Sequence, residues 1–183
     1  MEHSDRRFIV VSGMPASGKT AVARRLSTAF KLPLFDKDDI LEALFEARLP
    51  NVSRRQLSRA SDVVLTALVE QSRGAVVASF WRHSGVTGDS GTPCEWLGAL
   101  LPRLVEVHCT CPPELAVARF LARERHTGHE DGEKTEAALL AQFRDEKRRG
   151  PLGVGHLIAV ETSTPVDSGA LTEKIRTVFD AVA

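Results

Sequence analysis

Gly13-Met14-Pro15-Ala16-Ser17-Gly18-Lys19-Thr20 is the stretch that decides how the rest of the chain is read. It matches G-x-x-x-x-G-K-[ST] in full and stands where that pattern requires. Before it lies a short apolar run, Phe8-Ile9-Val10-Val11, which reads as a buried strand ending at Ser12-Gly13. After it, Lys19 to Phe30 places Val22, Ala23, Leu26 and Phe30 at helical spacing. A loop in this position wraps an anion, because glycines accept the backbone angles that turn successive N–H groups inward and the helix behind adds its positive end. Lys19 then reaches the outer phosphates of a nucleoside triphosphate and the Thr20 hydroxyl holds magnesium. Gly13, Pro15, Ala16, Ser17, Gly18 and Ala21 complete the nucleotide contacts. The alternative, an ordinary strand-turn-helix with a chance match, is disfavoured by this context.

Outward from the loop, strands and helices alternate. Leu32 to Phe35 reads as a second strand, followed by a helix capped by Asp38 or Asp39, with Ile40, Leu41, Leu44 and Phe45 on its apolar stripe. Ser53 to Arg73 is a further helix with Val63, Val64, Ala67 and Leu68 inward, and Ala75 to Phe80 is the third strand. A short helix around Glu95 to Leu101 precedes a strand at Leu104 to Cys109. Pro112 and Pro113 open a helix running to about Arg125, and His126 to Gly132 is a polar, glycine-punctuated loop before the helix Glu133 to Arg149. Leu157 to Val160 and Leu171 to Val182 supply a last strand and helix. This order predicts a three-layer αβα P-loop fold: about five parallel strands, helices on both faces, right-handed crossovers, and a lid at about 123–135. With 183 residues, one domain spanning 1–183 is expected.

Lys plus Arg and Asp plus Glu both number 24, so no global field draws the chain to nucleic acid or anionic lipid. No apolar run approaches the ~18 residues of a membrane span. Met1 to Arg7 is polar, unlike a secretory leader, and the expected compartment is cytoplasmic. Cys94, Cys109 and Cys111 are expected as reduced core thiols. A zinc site joining the last two to His126 and His129 would have to bridge roughly 20 Å along a helix. Monomer and homodimer both remain open.

The third strand ends in Ser79-Phe80-Trp81 with no acid, while Asp36-Lys37-Asp38-Asp39 follows the second strand. An alcohol attacking phosphorus must lose a proton, and a carboxylate beside the phosphate loop can accept it. Here the chain resembles the small P-loop kinases related to shikimate kinase, gluconate kinase and chloramphenicol phosphotransferase, especially AAA-type, zeta-toxin-like ATP-binding proteins. The resemblance spans nearly the whole chain and implies ATP and Mg2+. By resemblance Asp36 supports the metal and Asp38 is the base that contacts the acceptor hydroxyl, a role to which the resemblance to chloramphenicol phosphotransferase over Phe35 to Leu44 also points. Helix capping is the plainer alternative for Asp38. In place of the Gly-Gly-Gly run of shikimate kinases stands Ser79-Phe80-Trp81-Arg82, which counts against shikimate as acceptor.

Arg119 and Arg123, at i and i+4, share a helix face. By resemblance Arg123 meets the transferring phosphate and Arg119 adenine or phosphate; solvated ion pairs are the alternative. The Arg-His-x-Gly-His run typical of the AAA-type class places His129 near substrate, and Thr162 to Pro165 resembles a loop bordering adenine, making Thr162 and Pro165 nucleotide contacts. The acceptor is expected under the helices after the second and third strands. Trp81 offers a flat wall, Arg82 a donor fork, and Arg54, Arg55 and Arg59 cations for an anionic acceptor, Arg55 among the candidate contacts. Core packing for Trp81 and solvated surfaces for the arginines are the competing readings. The function expected is ATP-dependent transfer to a hydroxyl of a sugar, antibiotic or related metabolite. A nucleoside or nucleotide kinase, or a regulatory or RNA-processing NTPase module, is the alternative.

Overall fold

β1 (Arg7–Ser12) is the central strand of a five-stranded parallel sheet. The computed structural model describes residues 6–88, 90–123, 126 and 135–182. β1 pairs with β3 (Gly74–Ala78) on one side and β6 (Leu104–Thr110) on the other. β2 (Leu34–Asp36) flanks β3, and β7 (His156–Glu161) flanks β6, giving the order β2-β3-β1-β6-β7. A strand with neighbours on both sides and helices over both faces exposes neither, which is why Phe8 to Val11 are all apolar and at most 1% exposed.

Alternation divides those side chains between two layers. Ile9 and Val11 pack with Val22 and Leu26 of α1 (Lys19–Phe30) and Ile175 and Phe179 of α6 (Ser168–Ala181). Phe8 and Val10 pack with Leu65 and Val69 of α3 (Arg54–Gln71) and Leu97 and Leu100 of a 3-10 helix, Glu95–Leu100. The expected three-layer architecture follows from this split. A third cluster joins Met14 and Cys111 to α4 (Pro113–Leu121) and α5 (Glu136–Arg149) through Ala116, Val117, Leu139 and Phe143.

Several boundaries differ from expectation. β2 runs through Asp36, so α2 (Lys37–Glu46) starts without a linker and Asp36, not Asp38 or Asp39, caps it, its carboxylate accepting the Asp38 N–H at 3.1 Å. The buried stripe of α3 is Leu57, Ser61, Leu65 and Val69, whereas Val63 is 70% exposed and Val64 and Leu68 are also exposed. The capping box of Ser53 and Gln56 fixes where this helix starts, and a strict i, i+4 stripe then faces the sheet. β3 stops at Ala78, and Trp81–Arg82 becomes β4, paired in parallel with β5 (Thr92–Pro93). α4 ends at Leu121, and α5 begins at Glu136 after its cap, Thr135. Most of the expected lid lies outside the described residues. Among the described residues no helix is long and apolar enough to cross a membrane. The three cysteines are buried and free, and burial pushes the Cys109 thiol up to about 12.

Candidate active site

The segments that follow β1, β2 and β3 open into one cavity of about 610 Å³. Its floor is the phosphate loop, whose backbone tolerates no ordinary residue at its first position. Gly13 has φ +131°, and a Cβ there would sit 2.2 Å from the Cys109 carbonyl oxygen. Thr162, 7% exposed, holds the loop from beneath: its hydroxyl lies 2.7 Å from the Ser17 carbonyl and 3.0 Å from that of Thr110. The sequence reading has Thr162 contact the nucleotide through its backbone; instead its side chain supports the loop, and it is outside the cavity lining. Pro165 is exposed and outside the cavity lining.

Lys19 Nζ donates to the carbonyls of Gly13 (3.0 Å) and Met14 (2.8 Å), so the ammonium is held over the loop. Burial holds its pKa below the usual lysine range, against the opposing charges of Asp38 and Asp36. The Ser17 hydroxyl oxygen is buried in the loop and has no hydrogen-bond partner among the described residues. Pro15, Ala16, Gly18, Thr20 and Ala21 line the cavity, while Gly13 and Ser17 sit beneath its surface.

Beside the loop, the Thr20 hydroxyl donates to Asp36 Oδ2 at 3.2 Å, although β3 separates β2 from β1 in the sheet. Asp36 is 5% exposed, and its carboxyl is pushed up to about 6, first by burial and then by the charge of Asp38, partly offset by the Asp38 N–H and the Thr20 hydroxyl. A hydroxyl and a carboxylate in contact at the phosphate loop form the hard-oxygen pair that suits Mg2+, which takes few protein ligands and completes its shell with phosphates and water. Among the described residues no group of three or more His, Cys, Asp or Glu gathers for a metal. The pair fits magnesium held with a nucleotide rather than an all-protein cage. Two residues on, Asp38 is half-buried in the first turn of α2 and lines the same cavity.

Arg119 and Arg123 both line the cavity, though not on one helix face, since Arg123 lies beyond the end of α4. Arg119 donates to the Thr162 carbonyl at 2.8 Å. With Lys19, Arg24 and Arg54 they set five cations against two lining carboxylates, Asp36 and Asp38, while Lys37 is paired with Asp62 at 2.7 Å; the result is a local positive field in a chain of zero net charge.

The acceptor side departs most from the sequence reading. Trp81 is 3% exposed, with its indole N–H donating to the Val11 carbonyl at 3.0 Å; it belongs to the core and not to the cavity wall. Arg82 turns to the Gly88 carbonyl and Arg55 is exposed, and neither lines the cavity. In their place stand Arg54 and Ser58, one turn apart on α3, with Lys37, Phe80, Ser90 and Gly91. The Ser53-x-x-Gln56 signature could have identified Arg54 over Arg55, because it sets the start of the helix and thus its inward face. From α5, Gln142 and Phe143 also enter the cavity. His129 lies outside the described residues.

The family described as an AAA domain matches residues 9–141. Nothing among curated proteins matches the chain. Among solved structures, a "putative kinase" from Chloroflexus aurantiacus is 26% identical with a TM-score of 0.74, covering 94% of this chain and 98% of that one. Shikimate kinase from Acinetobacter baumannii, in complex with shikimate, is 20% identical with a TM-score of 0.59 and coverage of 98% and 96%. A gluconokinase from Sinorhizobium meliloti is 14% identical with a TM-score of 0.55 and coverage of 98% and 94%. The last two likenesses describe the fold, which is that of small P-loop kinases.

Proposed function

The chain belongs to the AAA domain family, and from that premise we propose that it is an ATP-dependent phosphotransferase acting on a hydroxyl of a small molecule. The observation that carries this reading is the side-by-side placement of two acids with separate surroundings. Asp36 is engaged by Thr20 at the phosphate loop, while Asp38, two positions on, lines the same cavity in the first turn of α2. One carboxylate supports the donor side and the other is left to receive a proton.

On this reading Lys19 exchanges the carbonyls of Gly13 and Met14 for phosphate oxygens of ATP. Thr20 and Asp36 would hold magnesium, which would supply positive charge to neutralise the phosphate oxygens of the nucleotide. Asp38 accepts the proton of the attacking hydroxyl, and Arg123 and Arg119 meet the charge that develops on the transferring phosphoryl group. Arg54, Ser58 and Phe80 orient the acceptor, a sugar, antibiotic or related metabolite. Arg54 on the acceptor wall also favours a second reading, a nucleoside or nucleotide kinase, with Arg54 binding the phosphate of a nucleotide acceptor.

The test is ADP release with magnesium and ATP across a panel of sugars, sugar acids, aminoglycosides, chloramphenicol-like antibiotics and nucleosides. Stimulation by one acceptor supports the reading and gives its class, and preference for a nucleoside, or for a nucleoside monophosphate added to the panel, moves it to the second. Slow hydrolysis unaffected by any acceptor would overturn both.

A further inference from the structure

Glu106 lies in the middle of β6 and is 0% exposed, with Val105 and Val107 as its chain neighbours, both in the core. A carboxylate in such surroundings must have its lone pairs occupied, and here the partners come from two distant segments. Oε1 accepts the Ser12 hydroxyl at 2.6 Å and the Leu152 N–H at 2.7 Å. Oε2 accepts the N–H groups of Gly153 at 2.9 Å and Val154 at 3.2 Å. Three consecutive backbone donors converging on one side chain form a nest for an anion that the chain itself supplies.

Each segment leads into the cavity. Ser12 directly precedes Gly13, whose carbonyl is one of the two partners of Lys19. The Ser12 oxygen also lies 2.9 Å from His108 Nδ1; with the Ser12 proton given to Glu106, the remaining lone pair suits an Nδ1–H donor. On the other side, residues 152–154 follow α5 after Gly150 and Pro151, and α5 brings Gln142 and Phe143 to the cavity. His83, just after β4, reaches the same segment at the Gly150 carbonyl, 3.0 Å away. A buried ionic group is not favoured on stability alone, since well-packed apolar side chains often do as well. Its value lies in fixing one arrangement of the groups it joins.

We propose that Glu106 is a positioning residue that ties the root of the phosphate loop, through Ser12, to the segment anchoring α5, so that one buried carboxylate sets both sides of the nucleotide cavity. This rests on Gly13 to Thr20 binding a nucleotide and not on the identity of the acceptor. Ser12→Ala cuts the branch to the phosphate loop and leaves the three backbone bonds in place. Glu106→Gln turns an amide N–H toward donors and loosens both branches.

The experiment is titration of the full chain with magnesium and a fluorescently labelled ADP, beside thermal unfolding of each variant. Ser12→Ala should raise the Kd roughly 5- to 10-fold, the scale of one lost hydrogen bond of ordinary strength. Glu106→Gln should raise it at least as much, and the double variant no further than Glu106→Gln alone, because both act through one connection. Kd values within twofold of the parent in both single variants, whatever their unfolding temperatures, would overturn the proposal and leave Glu106 a packing group; so would effects that add as independent sites do. Should Glu106→Gln fail to fold, Ser12→Ala decides alone. Because the readout is nucleotide affinity rather than turnover, absence of transfer to any acceptor would defeat the phosphotransferase reading without deciding this one.

Discussion

The floor of the cavity and its acceptor wall are built by different means. The floor is backbone: glycine geometry, a helix N-terminus, and carbonyls that hold Lys19 at 3.0 and 2.8 Å. The wall is made of side chains from α2, α3 and the segment after β3, brought together only when those elements pack. Backbone specifies phosphate, which every nucleoside triphosphate shares, whereas side chains specify one acceptor. The difference implies that damage to the floor stops all chemistry, while damage to the wall changes what is phosphorylated.

Lys19→Ala is the severest way to probe the floor. It should lower kcat/KM for ATP by about 10³-fold, as loss of a preorganised charge at a developing anion does, with every acceptor affected equally; steady-state kinetics on two acceptors checks this. Next, Asp38→Asn should lower kcat by ~10²-fold or more while nucleotide Kd stays within a few-fold, the scale of a lost general base. An equal loss of nucleotide affinity would mean that Asp38 belongs to the floor. On the wall, Arg54→Gln should raise the acceptor KM about 10-fold, more than it raises KM for ATP, and Arg55→Gln should leave both unchanged. Equal effects of the two arginines would break the distinction drawn between their helix faces.

The smallest effect is a pH dependence on the floor. The Asp36 carboxyl lies above its ordinary 3.8, at about 6, so its neutral form favours the unliganded fold. That contribution is complete below 3.8 and is lost as pH rises through about 6. Magnesium needs the ionised form, so magnesium-dependent nucleotide affinity should fall roughly fourfold between pH 7.5 and 5.5, the ratio of ionised fractions for a pKa near 6. Calorimetric titration at the two pH values checks this. Asp36→Asn should remove the slope, and a slope that persists in that variant would assign it to another group.

The floor was legible in the sequence because its determinants are local. Eight adjacent residues carry the loop, and a β-branched run and a helical stripe on either side place it. The pairing of Asp36 with Thr20 was also within reach, since Asp36 ends β2 and Thr20 follows the loop after β1, both at the carboxyl ends of parallel strands. The wall was not, because its residues depend on distant partners. Trp81 reads as a pocket wall until Thr92, eleven positions on, pairs with the chain: its N–H donates to the Phe80 carbonyl at 2.8 Å and its hydroxyl lies 2.6 Å from that of Ser79. That pairing turns the indole into the core. On α3, Val63, Val64 and Leu68 are as apolar as the residues that are buried, and only the register against the sheet selects Leu57, Leu65 and Val69. A one-residue step on a helix turns a side chain by about 100°, which is what separates Arg54 from Arg55.

The most direct test of the account follows the labelled terminal phosphoryl group of ATP in the presence of the acceptor that best stimulates ADP release, in the parent chain and in Asp38→Asn. The account predicts that the label appears on an acceptor hydroxyl in the parent, and that this transfer falls by ~10²-fold in the variant while nucleotide binding persists. Label appearing only as inorganic phosphate in both proteins, or transfer undiminished in Asp38→Asn, would contradict it.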